Sequence, residues 1–152
     1  MSEALAGVLV VDMSGSVATT YCAKLFADYG ATVINLETAQ GFPTRQLRPF
    51  TKGPSCDSAM HGYLNADKKS VRLDFLSDSA VAKILSRADL VLSDGRADLP
   101  EEIRLRMDIS WYGESGPYAD FIGTDAQCFA LNGMLRTIGH PEGPPLIPTG
   151  YQ

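Results

Sequence analysis

The chain has 152 residues, a length that fits one domain with a sizeable core. Its formal net charge of −5 argues against a nucleic-acid-binding protein, whose usual mark is a basic patch. No apolar run is long enough to span a bilayer, and the first residues lack the basic segment of a signal peptide. The three cysteines are far apart and odd in number, which favours reduced thiols in a cytoplasmic protein over a disulfide or zinc framework.

The first part of the chain predicts a strand, a helix and a second strand. Residues 8–12 are apolar without alternation, which is typical of a strand buried on both faces. Residues 14–16 supply a turn and a helix N-cap, and apolar residues then recur at helical spacing up to Gly30, the expected C′ residue. Residues 32–36 form the second predicted strand. This order predicts a parallel βαβ unit with a right-handed crossover.

Beyond that unit, the chain predicts further alternation of strands and helices. Residues 38–67 show no clear pattern, and so long a connection predicts either a functional loop or a poorly ordered one. The elements that follow are predicted as a strand at 70–74, a helix at 78–88, a strand at 90–92, a short helix at 100–105, a strand at 107–112 and a helix from Thr124 to about Thr137. The predicted fold class is therefore α/β, a Rossmann-like open and mostly parallel sheet with flanking helices.

Nucleotide-binding motifs are absent from the expected positions. Residues 14–19 read Ser-Gly-Ser-Val-Ala-Thr, with one glycine where the dinucleotide fingerprint has three. NAD binding is therefore disfavoured, although Glu37 ends the second strand where a ribose-binding acid could lie. No Walker A sequence is present. The N-terminus of the first helix is either a generic anion site or an ordinary capped helix end.

The chemically reactive side chains form no obvious cluster. His61 and His140 have no partners at metal-ligand spacing, so both are expected as solvated loop residues and no metal site is predicted. Residues 65–69, Asn-Ala-Asp-Lys-Lys, fit either a solvated turn before a strand or a cationic clamp for a phosphate, and composition alone favours the turn. Three acids close or adjoin predicted strands and are expected to be capping or solvated: Asp12, Glu37 and Asp74.

Two segments in the first half of the chain match a longer pattern. Residues 7–12 and 21–37 form the first matching segment. It ends in a pattern of the type leucine-alanine-aspartate-x-glycine-alanine-x-valine-isoleucine-x-x-glutamate. Residues 64–74 match an asparagine-x-x-lysine-arginine-serine-valine segment, with Lys69 in place of the arginine. Both patterns occur in the same order and spacing in one enzyme family.

Two segments in the second half continue the same pattern. Residues 111–120 match a glycine-aromatic-glycine loop, with Trp111 for the first glycine, and residues 139–146 match a glycine-x-proline-x-glycine-proline-proline turn. Together the four segments resemble the family III CoA-transferases, the CaiB/BaiF or formyl-CoA transferase-like family. Members of that family are more than twice as long. The resemblance therefore implies that residues 1–152 are the N-terminal segment of a larger domain, without its C-terminal half.

The resemblance implies a transfer of coenzyme A from an acyl-CoA thioester to a carboxylic acid. In that family an aspartate attacks the thioester, giving a mixed anhydride and then an aspartyl-CoA thioester, which is covalent catalysis by a carboxylate. The matching position would fall two residues beyond Gln152, so no residue here inherits the catalytic role and this segment is expected to be inactive alone. CoA or acyl-CoA is expected as a substrate, with no permanently bound cofactor.

The resemblance also assigns residues to the CoA side of the site. Ser16, Val17 and Ala18 would line the pantetheine and adenine region. Lys68, after Asn65, could pair with a CoA phosphate as a point charge. The six residues expected to bind CoA are Ser16, Val17, Ala18, Asn65, Lys68 and Tyr112, of which the last would flank the thioester.

Some positions depart from the family pattern. Thr38 stands where a basic residue often contacts the nucleotide, and residues 93–95 replace an asparagine-phenylalanine pair. Thr124 occupies the position of a catalytic histidine in the racemases of the family, which disfavours racemase chemistry. Two interpretations remain, the N-terminal part of a CoA-transferase or a degenerate domain that binds CoA or a partner chain without catalysis. The expected partners are an acyl-CoA, a carboxylic acid, and either further copies of the chain or the C-terminal half.

Overall fold

The computed structural model of the protein describes residues 3–53, 56–75, 77–95, 99–100 and 102–147. The chain forms two compact units, Met1–Ile109 and Ser110–Gln152. The first unit contains a parallel sheet with its helices, and the described residues of the second form a short α-helix, a 3₁₀ turn and further turns.

Five parallel strands form the sheet of the first unit. In chain order they are β1 (Leu9–Asp12), β2 (Thr32–Glu37), β3 (Lys69–Arg72), β4 (Leu90–Ser93) and β5 (Arg106–Asp108). Their spatial order is β3-β2-β1-β4-β5, with every neighbouring pair parallel. The predicted open parallel α/β sheet is confirmed. Because the order reverses between β1 and β4, the topological switch point lies between those two strands.

Helices accompany the sheet and follow it in the chain. The α-helices are α1 (Val17–Asp28), α2 (Ala59–Leu64), α3 (Asp78–Arg87) and, in the second unit, α4 (Asp125–Leu131). Single 3₁₀ turns occupy Pro43–Gln46, Leu73–Phe75 and Met134–Thr137. Each α-helix begins after a serine or threonine whose side chain accepts a hydrogen bond from a backbone N–H of the first turn. This capping satisfies donors that a helix start otherwise leaves unpaired.

The three central strands of the sheet, β1, β2 and β4, are covered on both faces, as the unalternated apolar run at residues 8–12 predicts for β1. On one face the buried residues are Val10, Ala23, Ala31, Val33, Leu90 and Leu92, where Ala23 comes from α1. On the other face they are Val11, Leu36, Leu85, Ala88 and Val91, where Leu85 comes from α3. Fully burying a valine or leucine side chain contributes roughly 1.5–3 kcal/mol. The two clusters therefore fix the strands that lead to the carboxyl edge of the sheet.

The segment 38–67 is more structured than its sequence pattern indicates. Its described residues include the 3₁₀ turn Pro43–Gln46, the helix α2 and an antiparallel bridge between Phe50 and Ser58. The helix α2 was missed because it has only six residues, with Leu64 as its one buried side chain. So short a helix shows no apolar period.

Several predicted elements change at their ends or disappear. The strand expected at 70–74 ends at Arg72, before the 3₁₀ turn Leu73–Phe75. The helix expected at residues 100–105 is absent from the described residues of that range, where the N–H of Ile103 turns back to the carbonyl of Pro100 at 3.5 Å. The strand expected at 107–112 ends at Asp108. The helix expected to reach Thr137 ends at Leu131, because Gly133 adopts a left-handed conformation with φ of 79° and starts a 3₁₀ turn.

Candidate functional site

The carboxyl edge of the sheet carries a group of buried polar residues. β1 ends at Asp12, β2 ends at Glu37 and β4 ends at Ser93, and all three are almost fully buried. Asn35, also buried, is the register partner of Asp12 on the neighbouring strand. In open α/β sheets, ligands bind in the crevice outside these strand ends at the switch point. The carboxyl edge is therefore the candidate site.

The turn between β1 and α1 is held by the carboxylate of Asp12. Its Oδ1 accepts hydrogen bonds from the backbone N–H groups of Ser14 at 3.1 Å and Gly15 at 3.3 Å. Gly15 has a φ of +66°, and a Cβ at this position would lie 2.3 Å from the ring of Phe42. Only glycine meets both requirements at low cost. Asp12 was expected to be a capping or solvated acid, and the structure shows a capping role in a fully buried side chain.

This turn leads Ser16, Val17 and Ala18 into the first turn of α1. The Oγ of Ser16 accepts a hydrogen bond from the N–H of Thr19 at 3.2 Å, so Ser16 is the N-cap. Ser16 and Val17 are half-buried and Ala18 is exposed. Because the first N–H groups of a helix have no intrahelical partners, this end of α1 favours an anion. Three of the expected CoA residues thus lie together at the switch point.

The ammonium group of Lys68 points into the protein. Its Nζ donates to the carbonyl of Thr20 in α1 at 2.7 Å and to Oδ1 of Asn65 at 3.3 Å. Burial lowers the pKa of Lys68 to about 8, although the negative charge of Asp12 acts in the opposite direction. The expectation of a solvated turn is therefore wrong for this group, and a cationic clamp for a phosphate stays a prediction. Lys68 instead connects Asn65 to the carbonyl of Thr20 in α1.

A chain of polar side chains connects this point to the segment before α2. Nδ2 of Asn35 donates to Oδ1 of Asn65 at 2.7 Å, and Asn65 lies 3.0 Å from Nδ1 of His61. The same nitrogen of His61 lies 2.8 Å from Oγ1 of Thr44. The expectation of a solvated loop residue is wrong for His61, which is half-buried in α2. Burial, with the positive charge of Arg45, lowers the pKa of His61.

Three buried oxygens of this region have no hydrogen-bond partner among the described residues. They are Oδ2 of Asp12, Oγ1 of Thr20 and Oδ1 of Asn35. Burial raises the pKa of Asp12, against the hydrogen bonds from Gly15 and Ser14, the charge of Lys68 and the neighbouring hydroxyl of Thr20. Buried polar atoms without partners are rare in folded proteins and call for an explanation.

Glu37 was expected to be a capping or solvated acid, and this is wrong. Its side chain is 1% exposed and accepts hydrogen bonds from Nε and Nη2 of Arg45, both at 2.7 Å. The Oγ of Ser70 and the N–H of Phe42 donate to the same carboxylate. Burial alone raises the pKa of Glu37, but these hydrogen bonds outweigh it and hold the pKa at about 2. Glu37 is therefore a structural anion, occupied on both oxygens.

Tyr112 belongs to the second unit. It is half-buried, and its ring centroid lies 6.0 Å from that of Tyr118, which in turn lies 5.5 Å from Phe121. The neighbouring Trp111 packs so close to Gly123 that a Cβ there would lie 2.8 Å from the indole. Tyr112 is thus part of an aromatic cluster in a loop rather than of a strand.

Some polar residues of the site were missed in the sequence. Thr20, Asn35 and Arg45 take part in its hydrogen bonds, yet none belongs to a short motif. Of these three residues, Asn35 is the one that the sequence could have indicated as part of a polar site. An amide inside an apolar parallel strand needs a polar partner when it is buried. Within the described residues there is no group of three or more His, Cys, Asp or Glu that could hold a metal ion. The described helices are too short or too polar to cross a membrane.

Comparison with known proteins decides the family. The model of CoA-transferase family III matches residues 5–151. The chain belongs to CoA-transferase family III. This membership confirms the resemblance seen in the sequence. The polar carboxyl edge, and the turn whose N–H groups bind Asp12, are therefore features of a member of this family.

Two curated members of family III show how much of the fold this chain represents. It is 31% identical to (R)-2-hydroxy-4-methylpentanoate CoA-transferase of Clostridioides difficile, over 88% of the chain and 38% of that enzyme. It is 29% identical to formyl-CoA:oxalate CoA-transferase of Streptomyces avermitilis, over 100% of the chain and 40% of that enzyme. The chain thus spans less than half the length of these two relatives.

Solved structures give the same fold. A CaiB/BaiF family protein from Brucella suis superposes with a TM-score of 0.84 at 24% identity, over 99% of this chain and 44% of that one. Rv3272 from Mycobacterium tuberculosis superposes with a TM-score of 0.77 at 27% identity, over 98% of this chain and 46% of that one. The fold of this chain is therefore found in experimentally solved structures, one of which is a CaiB/BaiF family protein.

Proposed function

We propose that this chain is the CoA-binding N-terminal part of a CoA-transferase, which moves CoA between an acyl-CoA thioester and a carboxylic acid. The observation that carries the proposal is the turn after β1. There the carboxylate of Asp12 binds two backbone N–H groups and leads Ser16, Val17 and Ala18 into α1 at the switch point. Family membership supports the same conclusion, because relatives that match this chain are CoA-transferases.

CoA is a suitable ligand for this edge because its phosphates are anionic. The N-terminus of α1 favours negative charge, and the positive charge of Lys68 lies below the same helix. We propose that Ser16, Val17 and Ala18 contact the ligand, with Asn65 and Lys68 supporting them. Tyr112, in the second unit, would flank the thioester. CoA enters as part of a substrate in this scheme and is not a resident cofactor.

The nucleophile is proposed to come from outside this chain. The family uses an aspartate whose position would follow Gln152, and the buried carboxylates of the candidate site are engaged otherwise. Asp12 accepts the two N–H groups of the turn, and Glu37 is paired with Arg45. Residues 1–152 alone would therefore bind CoA without transferring it.

A second candidate function is the binding of CoA or of a partner chain. In this case the protein would not catalyse CoA transfer even with its C-terminal half present. The observation that favours it is the set of departures at Thr38 and at residues 93–95, where residues that hold the nucleotide in the family are replaced. The residue at position 154 of the parent protein separates the two candidates. An aspartate there supports the transferase, and a residue without a carboxylate supports the binding domain.

Association with other chains is part of the proposal. The outer face of α1 exposes Tyr21, Leu25 and, just after the helix, Tyr29, at 46%, 43% and 61% of their surfaces. Helix surfaces of this kind are commonly covered by another element. We propose that further copies of the chain or the C-terminal half of the family fold associate with this unit, in the cytoplasm. Light scattering that shows a monomer at high concentration would count against self-association.

Two matched helix caps test the CoA site. Ser16 and Ser77 both cap helices, but only Ser16 lies in the proposed site. Replacing either by alanine should lower the free energy of unfolding by about 1 kcal/mol. Titration calorimetry with CoA should then show weaker binding for Ser16→Ala and unchanged binding for Ser77→Ala. Equal CoA affinities for Ser16→Ala and the wild type would contradict the proposed site.

A further inference from the structure

The side-chain amide of Asn65 has an orientation that its neighbours fix. At one end, Oδ1 lies 3.3 Å from Nζ of Lys68 and 2.7 Å from Nδ2 of Asn35. A lysine ammonium can only donate. At the other end, Nδ2 lies 3.0 Å from the backbone carbonyl of His61, which can only accept. A reversed amide would place donors against donors and an acceptor against an acceptor, so the amide keeps this orientation.

The orientation of Asn65 decides which nitrogen of His61 carries the proton. Nδ2 of Asn65 also lies 3.0 Å from Nδ1 of His61, and an amide N–H can only donate. Nδ1 must therefore accept, which leaves it bare and places the proton of the neutral ring on Nε2. Oγ1 of the buried Thr44 lies 2.8 Å from the same nitrogen, so its hydroxyl donates as well. Two donors from different segments thus share one acceptor.

Protonation of His61 is compatible with Thr44 but not with Asn65. An imidazolium carries a hydrogen on both ring nitrogens. The hydroxyl of Thr44 can turn and accept from the new Nδ1–H, because a hydroxyl both donates and accepts. The amide nitrogen of Asn65 has no acceptor to offer, so its contact with Nδ1 breaks. One proton on His61 therefore releases Asn65 while Thr44 stays bound.

The charged groups around His61 lie on several segments. They are Arg45 of the 3₁₀ turn, Glu37 at the end of β2, Lys68 before β3 and Asp57 before α2. Burial, then the positive charges of Arg45 and Lys68, lower the pKa of His61 from 6.5, against the two carboxylates. The pKa of Glu37 is about 2 and that of Lys68 about 8, so both stay charged where His61 titrates. The contact with Asn65 is therefore complete above pH 6.5 and is lost as the pH falls through the lowered pKa of His61.

We propose that His61 is a positioning residue for the CoA site, whose bare Nδ1 holds the amide of Asn65 and whose protonation releases it. Asn65 in turn holds Lys68, whose Nζ also donates to the carbonyl of Thr20 in α1. His61 thereby makes the CoA side of the crevice sensitive to acid. The inference rests on the proposed function for its ligand, but the contact between His61 and Asn65 exists without any ligand.

NMR of the chain without ligand tests this contact. The ¹⁵N shifts of His61 should show a bare Nδ1 and a protonated Nε2 in the neutral form of the ring. On acidification, the side-chain NH₂ signals of Asn65 should shift together with the titration of His61. A proton on Nδ1 in the neutral ring, or Asn65 signals that do not follow His61, would overturn the inference.

Substitutions of the histidines separate positioning from a merely structural role. His61→Asn keeps an acceptor oxygen near the place of Nδ1 but takes up no proton, so its Asn65 signals should stay constant where those of the wild type shift. His61→Leu removes the acceptor and should accelerate exchange of the Asn65 NH₂ hydrogens severalfold at every pH. His140→Asn is the matched control, because His140 lies in the second unit, and it should leave the titration of Asn65 unchanged.

The variant His61→Asn also identifies the titrating group. Asn65 signals that still shift in His61→Asn would assign the acid response to another group, such as the buried Asp12, and would overturn the role of His61. If His61→Leu fails to fold, the comparison of the wild type with His61→Asn still decides.

Titration calorimetry with CoA at about pH 7 and about pH 5 connects the contact to the ligand. We expect the wild type to lose severalfold more affinity on acidification than His61→Asn, because only the wild type releases Asn65. The phosphates of CoA titrate in the same range, but they do so equally for both proteins. Equal losses, or a gain for the wild type, would overturn the positioning role. If neither protein binds CoA at either pH, the proposed function fails, and the NMR signals of Asn65 still decide its contact with His61.

Discussion

Arg45 and Glu37 form a two-pronged ion pair at the end of β2. Nε and Nη2 of the guanidinium each donate to one carboxylate oxygen at 2.7 Å. Arg45 lies in the 3₁₀ turn Pro43–Gln46, so the pair ties the segment after β2 back to the carboxyl edge of the sheet. Bidentate pairs of this kind combine strength with fixed geometry. The pair thereby orders the segment that contains Phe42, which packs on the glycine of the β1–α1 turn.

Removing the guanidinium should destabilise the fold markedly. Arg45→Met leaves the carboxylate of Glu37, 1% exposed, without its cation. We expect a loss of about 2 kcal/mol in the free energy of unfolding, below the usual cost for a fully buried pair because 42% of the Arg45 side chain is exposed. Urea denaturation measures this difference. Arg104→Met is the control, since the pair of Arg104 with Asp89 is largely exposed and should change stability by about 0.5 kcal/mol or less. Equal losses for the two variants would contradict the structural role of Arg45.

The same pair predicts how stability depends on acid. The pKa of Glu37 falls from 4.5 to about 2 in the folded protein, so its contribution is complete above pH 4.5 and is lost as the pH falls toward 2. The contribution is roughly 3 kcal/mol. Urea denaturation at a series of pH values should show a shallower decline between these two pH values for Glu37→Gln than for the wild type. Parallel declines would show that Glu37 titrates normally in the folded state.

Gly15 is expected to be the most sensitive glycine of the candidate site. Gly15→Ala places a Cβ at a φ of +66° and 2.3 Å from the Phe42 ring, so we expect a loss of about 2–4 kcal/mol. Gly62→Ala is the opposite case, because Gly62 lies inside α2 and an added Cβ would meet no atom within 4 Å. That substitution should stabilise the protein by about 0.5–1 kcal/mol. Thermal unfolding of the Gly15→Ala and Gly62→Ala variants measures both effects. A Gly15→Ala variant as stable as the wild type would contradict the tight turn.

Residues 1–152 by themselves are expected to show no CoA-transferase turnover. The proposed nucleophile lies outside them, and the CoA-side groups alone form no acyl-enzyme intermediate. Incubation with an acyl-CoA and candidate carboxylic acids, followed by mass spectrometry, should reveal no exchanged thioester. Repeated exchange by the purified chain would require a different nucleophile within it and would contradict the proposal.

Local sequence signals were sufficient for the framework of the first unit. The unalternated apolar run at β1 and the second strand predicted at residues 32–36, with the serine cap and Gly30 between them, correctly predicted the parallel βαβ unit. Such signals work because the burial of a strand and the capping of a helix depend on residues close together in the chain. The family followed from four short segments in a fixed order, and the match over residues 5–151 confirms it.

The polar interior of the site was decided by tertiary structure. Lys68 binds the carbonyl of Thr20, 48 residues away, and Asn35 binds Asn65, 30 residues away. Sequence reasoning predicts a capping or solvated acid at Glu37 and a solvated loop residue at His61, because a carboxylate or imidazole considered alone prefers water. Their partners come from different elements, which reach one edge only when the parallel strands align their carboxyl ends. A charge becomes buried and compensated through that alignment, and no local pattern of residues encodes it.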